Sequence, residues 1–337
     1  MQPATAAAPA PSFRLVTRGR LGLQVTTVAN AGASLSVEVP LDANVIGAEH
    51  TGDGAVLALL HTSSFAIVHP PQWSARVNVA LPTGSQLVNL HLSPRGSYAA
   101  VLIRAPHAEQ ATANNIYIYD TTTGAQLHAF QQRMLGKESP SWPLLTWSSD
   151  ESHWARVVST EVQFGVAADL TKVVSRIKED RVRQCIWSPS GAHRVALLSA
   201  EDRSHSLPAR VRVFPFPPAG DQPTSQLTVM RADESNAYWA PVTASALLAV
   251  THTELDPSGK SYYGESKLFQ LQAGTNEGGQ VTTKEGPLHT YGWAPNGKHF
   301  AVIAGRMPAR VSCFNRRGQL TVRCSSLHRS LMFDSWI

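Results

Sequence analysis

A short turn motif recurs along this chain, and its spacing limits the folds that the chain can adopt. Each copy contains a bulky residue, a small residue, proline or serine, and then glycine or an acid. The copies are "HTGDG" (a degenerate one) at 50–54, "LSPRG" at 92–96, "WSSDE" at 147–151, "WSPSG" at 187–191, "WAP" at 239–241 and "WAPNG" at 293–297. Their first residues are 42, 55, 40, 52 and 54 positions apart. Repeats of about 40 residues or slightly more, with four short strands each, are typical of β-propeller blades.

Two apolar runs follow most copies of the turn, and both have the composition of short strands. The first runs are "AVLALL", "YAAVLI", "HRVALLS", "SALLAV" and "HFAVIAG". The second runs are "FAIVH", "NIYIYD", "RVRVFPF", "KLFQLQ" and "RVSCFN". Turn residues separate these runs, and no long helical period appears.

The sequence therefore predicts an all-β fold, a WD40-like β-propeller. Strands are also expected within 13–40, and a further repeat is expected to begin at 328. Insertions between strands, such as 105–114 and 254–261, explain the longer spacings. The six full repeats are expected at about 43–82, 87–132, 144–179, 182–233, 234–286 and 288–327.

The recurring tryptophans Trp147, Trp187, Trp239 and Trp293 hold one position within the repeat. A fixed position favours burial between neighbouring blades, where a large ring removes much apolar surface from water. The alternative is that these rings stack on RNA bases.

Composition argues against several classes of protein. The longest apolar runs, such as 55–60 and 246–250, are far too short to span a bilayer. Residues 1–12 are rich in alanine and proline, so we expect a disordered leader followed by one propeller domain over 13–337. The three cysteines lack C-x-x-C spacing and suit the reduced thiols of a cytoplasmic protein.

No pattern in the sequence predicts catalysis, a metal site or a cofactor. The 13 histidines are scattered singly, without a His-x-x-x-His pair that flanks a glutamate. Adjacent carboxylates such as Glu179-Asp180 and Glu201-Asp202 are expected in loops, where their charges are solvated. We therefore expect a protein that is not an enzyme.

Positive charge is concentrated near the end of the chain. The formal net charge is +5, yet residues 287–337 hold seven basic residues against one acid. A cluster of one sign can meet phosphate backbones, and it can equally be a solvated arginine surface. The candidate RNA-facing or ribosome-facing side chains in this region are Arg306, Arg310, Arg316 and Arg317.

The segment "DPSGKSYYGE" at 256–265 contains the Gly-Lys-Ser that ends a phosphate-binding P-loop. Such a loop needs a glycine where this chain has Glu254, and it must open a helix. The following "SKLFQLQ" alternates like a strand. The segment is therefore predicted to be a loop between two strands.

The same segment, "DPSGKSYYGESKLFQL", resembles the eukaryotic translation initiation factor 2A family, which carries Ser-Tyr-Tyr-Gly-Glu at this place. "GPLHTYGWAPNGKHFAVIAGRMPARVSCFN" at 286–315 resembles that family's Gly-Pro start, tryptophan turn and Met-Pro-Ala-Lys stretch, with Arg310 in place of the usual lysine. "NIYIYDTTTGAQLHAFQQ", Pro140-Ser141-Trp142 and "SSDESHWARVVSTEVQFG" fit in the same order. The resemblance runs from about 87 to 333.

The resemblance implies a nine-bladed propeller followed by a charged helical tail, so we expect an incomplete propeller, with an unpaired last strand around 331–337. It also implies a cytoplasmic factor that associates with the small ribosomal subunit, mRNA and other initiation factors. Such a factor delivers initiator methionyl-tRNA without hydrolysing GTP. Lys260, Tyr262 and Tyr263 join the candidate RNA-facing or ribosome-facing residues on this ground.

Two alternatives remain at this point. One is a protein–protein scaffold, such as the propeller of the b-type component of initiation factor 3, which should have an RNA-recognition domain before its propeller. The segment ahead of the propeller here is too short for that domain. The other is the propeller lid of a prolyl-peptidase-like hydrolase, which needs a Gly-x-Ser-x-Gly elbow that the sequence lacks.

We expect this chain to bind neither ATP nor GTP at micromolar concentrations, because Glu254 would repel a phosphate where the loop needs glycine. Isothermal titration of both nucleotides checks this expectation. Micromolar binding that Lys260→Ala abolishes would contradict it.

Overall fold

A computed structural model describes residues 12–18, 22–29, 34–40, 44–69, 76–106, 113–132, 140–158, 160–190, 193–253, 264–281, 286–306 and 308–324. The regular elements in these ranges are β-strands, and neighbouring strands pair antiparallel in chain order. The chain divides into two compact units, Met1–Gln132 and Arg133–Ile337.

The first unit contains a three-stranded sheet and two four-stranded sheets, which we name blades 1 and 2. The three-stranded sheet consists of β1 (Ser12–Arg18), β2 (Gly22–Ala29) and β3 (Ser34–Pro40). Blade 1 consists of β4 (Gly47–His50), β5 (Leu57–Leu60), β6 (Ser64–Val68) and β7 (Arg76–Ala80). Blade 2 consists of β8 (Gln86–Leu92), β9 (Tyr98–Arg104), β10 (Ile116–Asp120) and β11 (Gln126–Phe130).

The second unit contains four more four-stranded sheets, blades 3 to 6. Blade 3 consists of β12 (Leu145–Trp147), β13 (His153–Val157), β14 (Glu161–Val166) and β15 (Ser175–Lys178). Blade 4 consists of β16 (Val182–Trp187), β17 (Arg194–Ser199), β18 (Ala209–Pro215) and β19 (Ser225–Val229). Blade 5 consists of β20 (Glu234–Trp239), β21 (Ala246–Thr253), β22 (Glu265–Gln272) and β23 (Gly278–Gln280). Blade 6 consists of β24 (Leu288–Trp293), β25 (His299–Ala304), β26 (Arg310–Asn315) and β27 (Leu320–Cys324).

These sheets confirm the prediction of an all-β fold with six four-stranded repeats. The strands expected within 13–40 are also confirmed, as the separate sheet β1–β3. Three predictions lie outside the described residues: the disordered leader, apart from Ser12, which begins β1; the repeat expected to begin at 328; and the last strand around 331–337. The single domain over 13–337 stays a prediction.

The recurring turn closes the hairpin between the first and second strands of each blade. In blade 2, the Ser93 N–H donates to the Tyr98 carbonyl at 2.9 Å. The buried Ser93 hydroxyl accepts the Tyr98 N–H, also at 2.9 Å. Gly96 adopts φ 80°, and a methyl group there would collide with the Val56 side chain of blade 1. The small residue and the glycine of the motif are thus needed for hydrogen bonding and for close approach of two blades.

Blades 3 and 4 repeat this arrangement. The buried hydroxyl of Ser148 accepts the His153 N–H at 3.1 Å, and that of Ser188 accepts the Arg194 N–H at 3.0 Å. Glu151 takes the place of the glycine in blade 3 and adopts φ 60°.

Three of the turn tryptophans, Trp187, Trp239 and Trp293, contact the preceding blade, which confirms the packing predicted for them. Trp147, Trp187 and Trp239 are buried, and Trp293 is half-buried. The indole Nε1 of Trp239 donates to the Ile186 carbonyl of blade 4 at 3.2 Å, and that of Trp293 donates to the Tyr238 carbonyl of blade 5 at 3.0 Å. These contacts argue against base stacking by the turn tryptophans.

One further buried tryptophan does not follow from the repeat. Trp154 lies in β13, and its Nε1 donates to the Val166 carbonyl at 3.1 Å. Its ring occupies the space beside Gly165 of β14, so any side chain at Gly165 would overlap it.

A buried ion pair crosses the connection between blades 3 and 4, so the prediction that Glu179 is a solvated loop carboxylate is wrong. The Glu179 carboxylate pairs with the Arg212 guanidinium, and the two side chains are 4% and 14% exposed. The Ser199 hydroxyl donates to the same carboxylate at 2.9 Å. The Arg212 guanidinium also lies 5.4 Å from the centre of the Phe214 ring. Removing the carboxylate would leave a guanidinium buried without its counter-charge.

We expect Glu179→Ala to lower the free energy of unfolding by about 3–5 kcal/mol, the usual cost of breaking a buried pair. The exposed neighbour Asp180 offers a matched control, and Asp180→Ala should change the free energy by less than about 0.5 kcal/mol. Urea unfolding checks both values. Equal effects of the two substitutions would contradict a stabilising role for the pair.

Candidate nucleic-acid interface

Blade 6 carries charge of one sign only. Between Glu285 and Asp334 the sequence contains neither aspartate nor glutamate. Every basic side chain of the blade is exposed, and none forms an ion pair with a described residue. These side chains are Lys298, Arg306, Arg310, Arg316, Arg317 and Arg323.

The strands separate these six cations into two groups. We call the end of a blade where the first-to-second and third-to-fourth strand turns lie its hairpin end, and the opposite end its loop end. Lys298, Arg316 and Arg317 form the hairpin-end triad, and Arg306, Arg310 and Arg323 form the loop-end triad. β26 lies between the triads, and the six steps along the backbone from Arg310 to Arg316 span about 20 Å at about 3.3 Å per step.

Hydrogen bonds fix the backbone of the hairpin-end triad. The Asn315 Oδ1 accepts the N–H groups of Arg317 and Gln319, each at 3.0 Å. The Arg316 N–H donates to the Lys298 carbonyl at 2.9 Å, and the Arg316 carbonyl accepts the Gln272 Nε2–H of blade 5 at 2.7 Å. The turn therefore holds its two arginines at a defined place against both neighbouring strands.

A close approach of two backbone segments fixes the loop-end triad. Gly286 adopts φ 133°, and a methyl group there would lie 2.7 Å from the Gly305 Cα and 2.8 Å from the Arg306 nitrogen. The His289 Nε2 lies 2.7 Å from the Gly305 carbonyl, as a donor to it. The glycine of the Gly-Pro start is thus required by the backbone that precedes Arg306.

Arg310 and Arg323 occupy one face of blade 6. Arg323 is paired with Ser312, and Arg310 lies two residues before Ser312 on β26. The two arginines are therefore diagonal neighbours on adjacent strands.

The candidate residues chosen from the sequence fall in three places. Arg306 and Arg310 lie at the loop end, whereas Arg316 and Arg317 lie at the hairpin end. Lys260, Tyr262 and Tyr263 lie outside the described residues. The segment after the Gly-Lys-Ser is the strand β22, as predicted, where a P-loop would continue as a helix. Whether any of the seven contacts RNA stays a prediction.

Two members of the triads, Lys298 and Arg323, are absent from the candidates chosen by sequence. Both are part of the charge excess of 287–337, so the signal is present in the sequence. The order of strands and turns in the blade assigns each basic residue to one end, and this assignment would include both Lys298 and Arg323.

Another polar cluster in the second unit, at Asp150, joins two neighbouring blades. The Asp150 carboxylate accepts the Ser148 hydroxyl at 2.6 Å and the Ser152 hydroxyl at 2.7 Å, and it lies 3.1 Å from His193 Nε2. Burial alone would raise the pKa of Asp150, but these hydrogen bonds and the charge of His193 hold it well below its usual range. Burial, and then the charge of His193, lower the pKa of His153. The cluster links the hairpin ends of blades 3 and 4.

A cleft of about 550 Å³ lies between blades 3 and 4 at their loop end. Its lining is of mixed charge and includes the Glu179–Arg212 pair. The lining residues are Thr160, Glu161, Lys178, Glu179, Asp180, Arg181, Leu207, Arg210 and Arg212.

Metal sites, reactive thiols and membrane spans find no support in the described part of the chain. It contains no group of three or more histidine, cysteine, aspartate or glutamate residues that could hold a metal ion. Cys185 is a buried free thiol, and burial raises its pKa. No helix long and apolar enough to cross a membrane is found in the ranges that the structure describes.

The blades and the acid-free sixth blade define a WD-type β-propeller protein with a cationic surface. The family model "Eukaryotic translation initiation factor eIF2A" matches residues 228–335, which include blades 5 and 6. A protein of Schizosaccharomyces pombe, eukaryotic translation initiation factor 2A, is 31% identical over 234 residues, which are 68% of this chain and 39% of that protein. This chain belongs to the eukaryotic translation initiation factor 2A family.

Two other likenesses are weaker in sequence. A solved crystal structure of a eukaryotic initiation factor superposes with a TM-score of 0.72 at 21% identity, over 94% of this chain and 74% of that chain, and so supports the fold. The b-type component of eukaryotic translation initiation factor 3 from Arabidopsis thaliana is 23% identical over 232 residues, 64% of this chain and 32% of that protein. The chain spans half or less of the length of the curated factor 2A relatives that it matches.

Proposed function

We propose that this chain is the propeller part of a translation initiation factor of the 2A type, and that it acts in the cytoplasm as a scaffold without a catalytic step. In this proposal it associates with the small ribosomal subunit through RNA. It supports delivery of initiator methionyl-tRNA without GTP hydrolysis, together with mRNA and other initiation factors. The observation that carries the proposal is blade 6, where six exposed cations and no carboxylate lie within the segment matched by the family model.

The physical basis is the release of counterions from a phosphate backbone. Each phosphate that a lysine or arginine neutralises releases condensed cations and adds to the salt dependence of binding. Neighbouring carboxylates would compensate these charges, and blade 6 has none. The hydrogen-bonded turn at Asn315 and the close packing at Gly286 hold the backbone near the two triads, so binding does not need to order that backbone.

Other lines of support bear on the parts of this proposal. Glu254 in place of the P-loop glycine supports independence from GTP, which the nucleotide titration above tests. The likeness to the b-type component of initiation factor 3 is weaker than that to factor 2A, at 23% against 31% identity. The higher identity to factor 2A therefore favours the 2A type over the factor 3 alternative.

The proposal is tested with two triple variants, in which all three members of one triad become glutamine. Each variant should reduce the slope of log affinity against log salt by about one unit for each phosphate contact that is lost. The measurement is binding of the full chain to purified small ribosomal subunits over a range of salt concentrations. Thermal unfolding of each variant confirms that the fold is retained.

A matched control removes three basic residues that already have carboxylate partners. Arg176 lies 3.5 Å from Glu161, Arg203 lies 2.7 Å from Asp233, and Lys267 lies 3.1 Å from Glu265. Their joint replacement by glutamine should leave the slope unchanged. Slopes that are unchanged in both triad variants, or reduced equally in the control, would show that blade 6 is a solvated surface.

A further inference from the structure

Two tyrosines meet on the first strands of blades 5 and 6, beside the cationic blade. The ring centres of Tyr238 and Tyr291 are 5.6 Å apart with the rings inclined at 60°. Tyr238 is 46% exposed, whereas Tyr291 is half-buried against the apolar core between the two blades. One ring is therefore anchored and the other presents nearly half its surface to solvent.

The pair is held in place by the contact between the blades. The Trp293 Nε1 donates to the Tyr238 carbonyl at 3.0 Å, and the Trp293 ring packs 5.3 Å from Phe300. Burial, and then a hydrogen bond with Tyr238, raise the pKa of Tyr291. The pair is an aromatic edge held by contacts between two blades.

A polar side chain adjoins the exposed ring of Tyr238. Asn236 is exposed two residues before Tyr238, on the same face of β20, and offers an amide to a ligand. The acid of this strand, Glu234, lies four residues before Tyr238, about 13 Å away along an extended strand.

We propose that the Tyr238–Tyr291 edge is a stacking site for an unpaired base of a single-stranded RNA. Sites for single strands combine aromatic faces, on which bases stack, with cations that follow the backbone. The cations are supplied here by blade 6, whose first strand carries Tyr291. A duplex keeps its base faces stacked within the helix, so it cannot use such an edge. The inference rests on the proposed function, because it assigns to that function one kind of RNA contact.

The test compares Tyr238→Leu with Tyr238→Phe in the full chain. Leucine keeps apolar contact but removes the ring, whereas phenylalanine keeps the ring and removes the hydroxyl. The probes are a short fluorescent single-stranded RNA of mixed sequence and an abasic oligonucleotide with the same number of phosphates. Affinities are measured by fluorescence anisotropy at several salt concentrations.

Tyr238→Leu should weaken binding of the single-stranded RNA about ten-fold, the usual scale for loss of one stacked base. The salt slope should be unchanged, because no phosphate contact is lost. Tyr238→Phe should bind as the native chain does, and the abasic oligonucleotide should not distinguish the three proteins.

Two results would overturn the stacking site: equal affinity of Tyr238→Leu and the native chain for the single-stranded RNA, or an equal loss of affinity for the abasic probe. Association of the native chain with small ribosomal subunits, measured in parallel, separates this failure from failure of the proposed function. If the native chain associates with the expected salt slope and Tyr238→Leu has no effect on RNA affinity, the stacking site alone is wrong.

Discussion

The indole-to-carbonyl hydrogen bond between first strands sets the spacing of the later blades. Trp239 donates to the residue before Trp187, and Trp293 donates to the residue before Trp239. The equivalent partner of Trp187 would be the Thr146 carbonyl, but the Trp187 Nε1 has no hydrogen-bond partner among the described residues. Its ring packs instead against Phe164 and Phe216, so apolar contact replaces the hydrogen bond between blades 3 and 4.

This spacing places the proposed contact residues on blades that hydrogen bonds join to one another. The bond from Trp293 to the Tyr238 carbonyl positions both tyrosines, and the Gln272 bond to the Arg316 carbonyl ties the third-to-fourth strand turn of blade 6 to blade 5. A scaffold of this kind lowers the entropic cost of binding, because the backbone that carries its cations and rings is ordered when the protein folds. The proposed RNA contacts are made by side chains of the chain itself.

The repeats could be predicted from the sequence because their determinants are local. The turn at Ser93 and Gly96 is closed by residues within a few positions of one another, and the alternating strands follow from it. The partners across blades could not be predicted in this way. Glu179 and Arg212 are 33 residues apart. Tyr238 and Tyr291 meet only because the first strands of blades 5 and 6 pack side by side. The separation of Arg310 from Arg316 likewise depends on β26, whose two ends they occupy. A count of charges along the sequence does not contain this separation.

In the proposed function, blade 6 faces RNA. Crosslinking of the chain to bound small ribosomal subunits, followed by mass spectrometry of the RNA-linked peptides, tests this most directly. We predict RNA-linked peptides from 288–324, with links at both ends of β26. Links confined to peptides of blades 1 and 2, with none from 288–324, would contradict it.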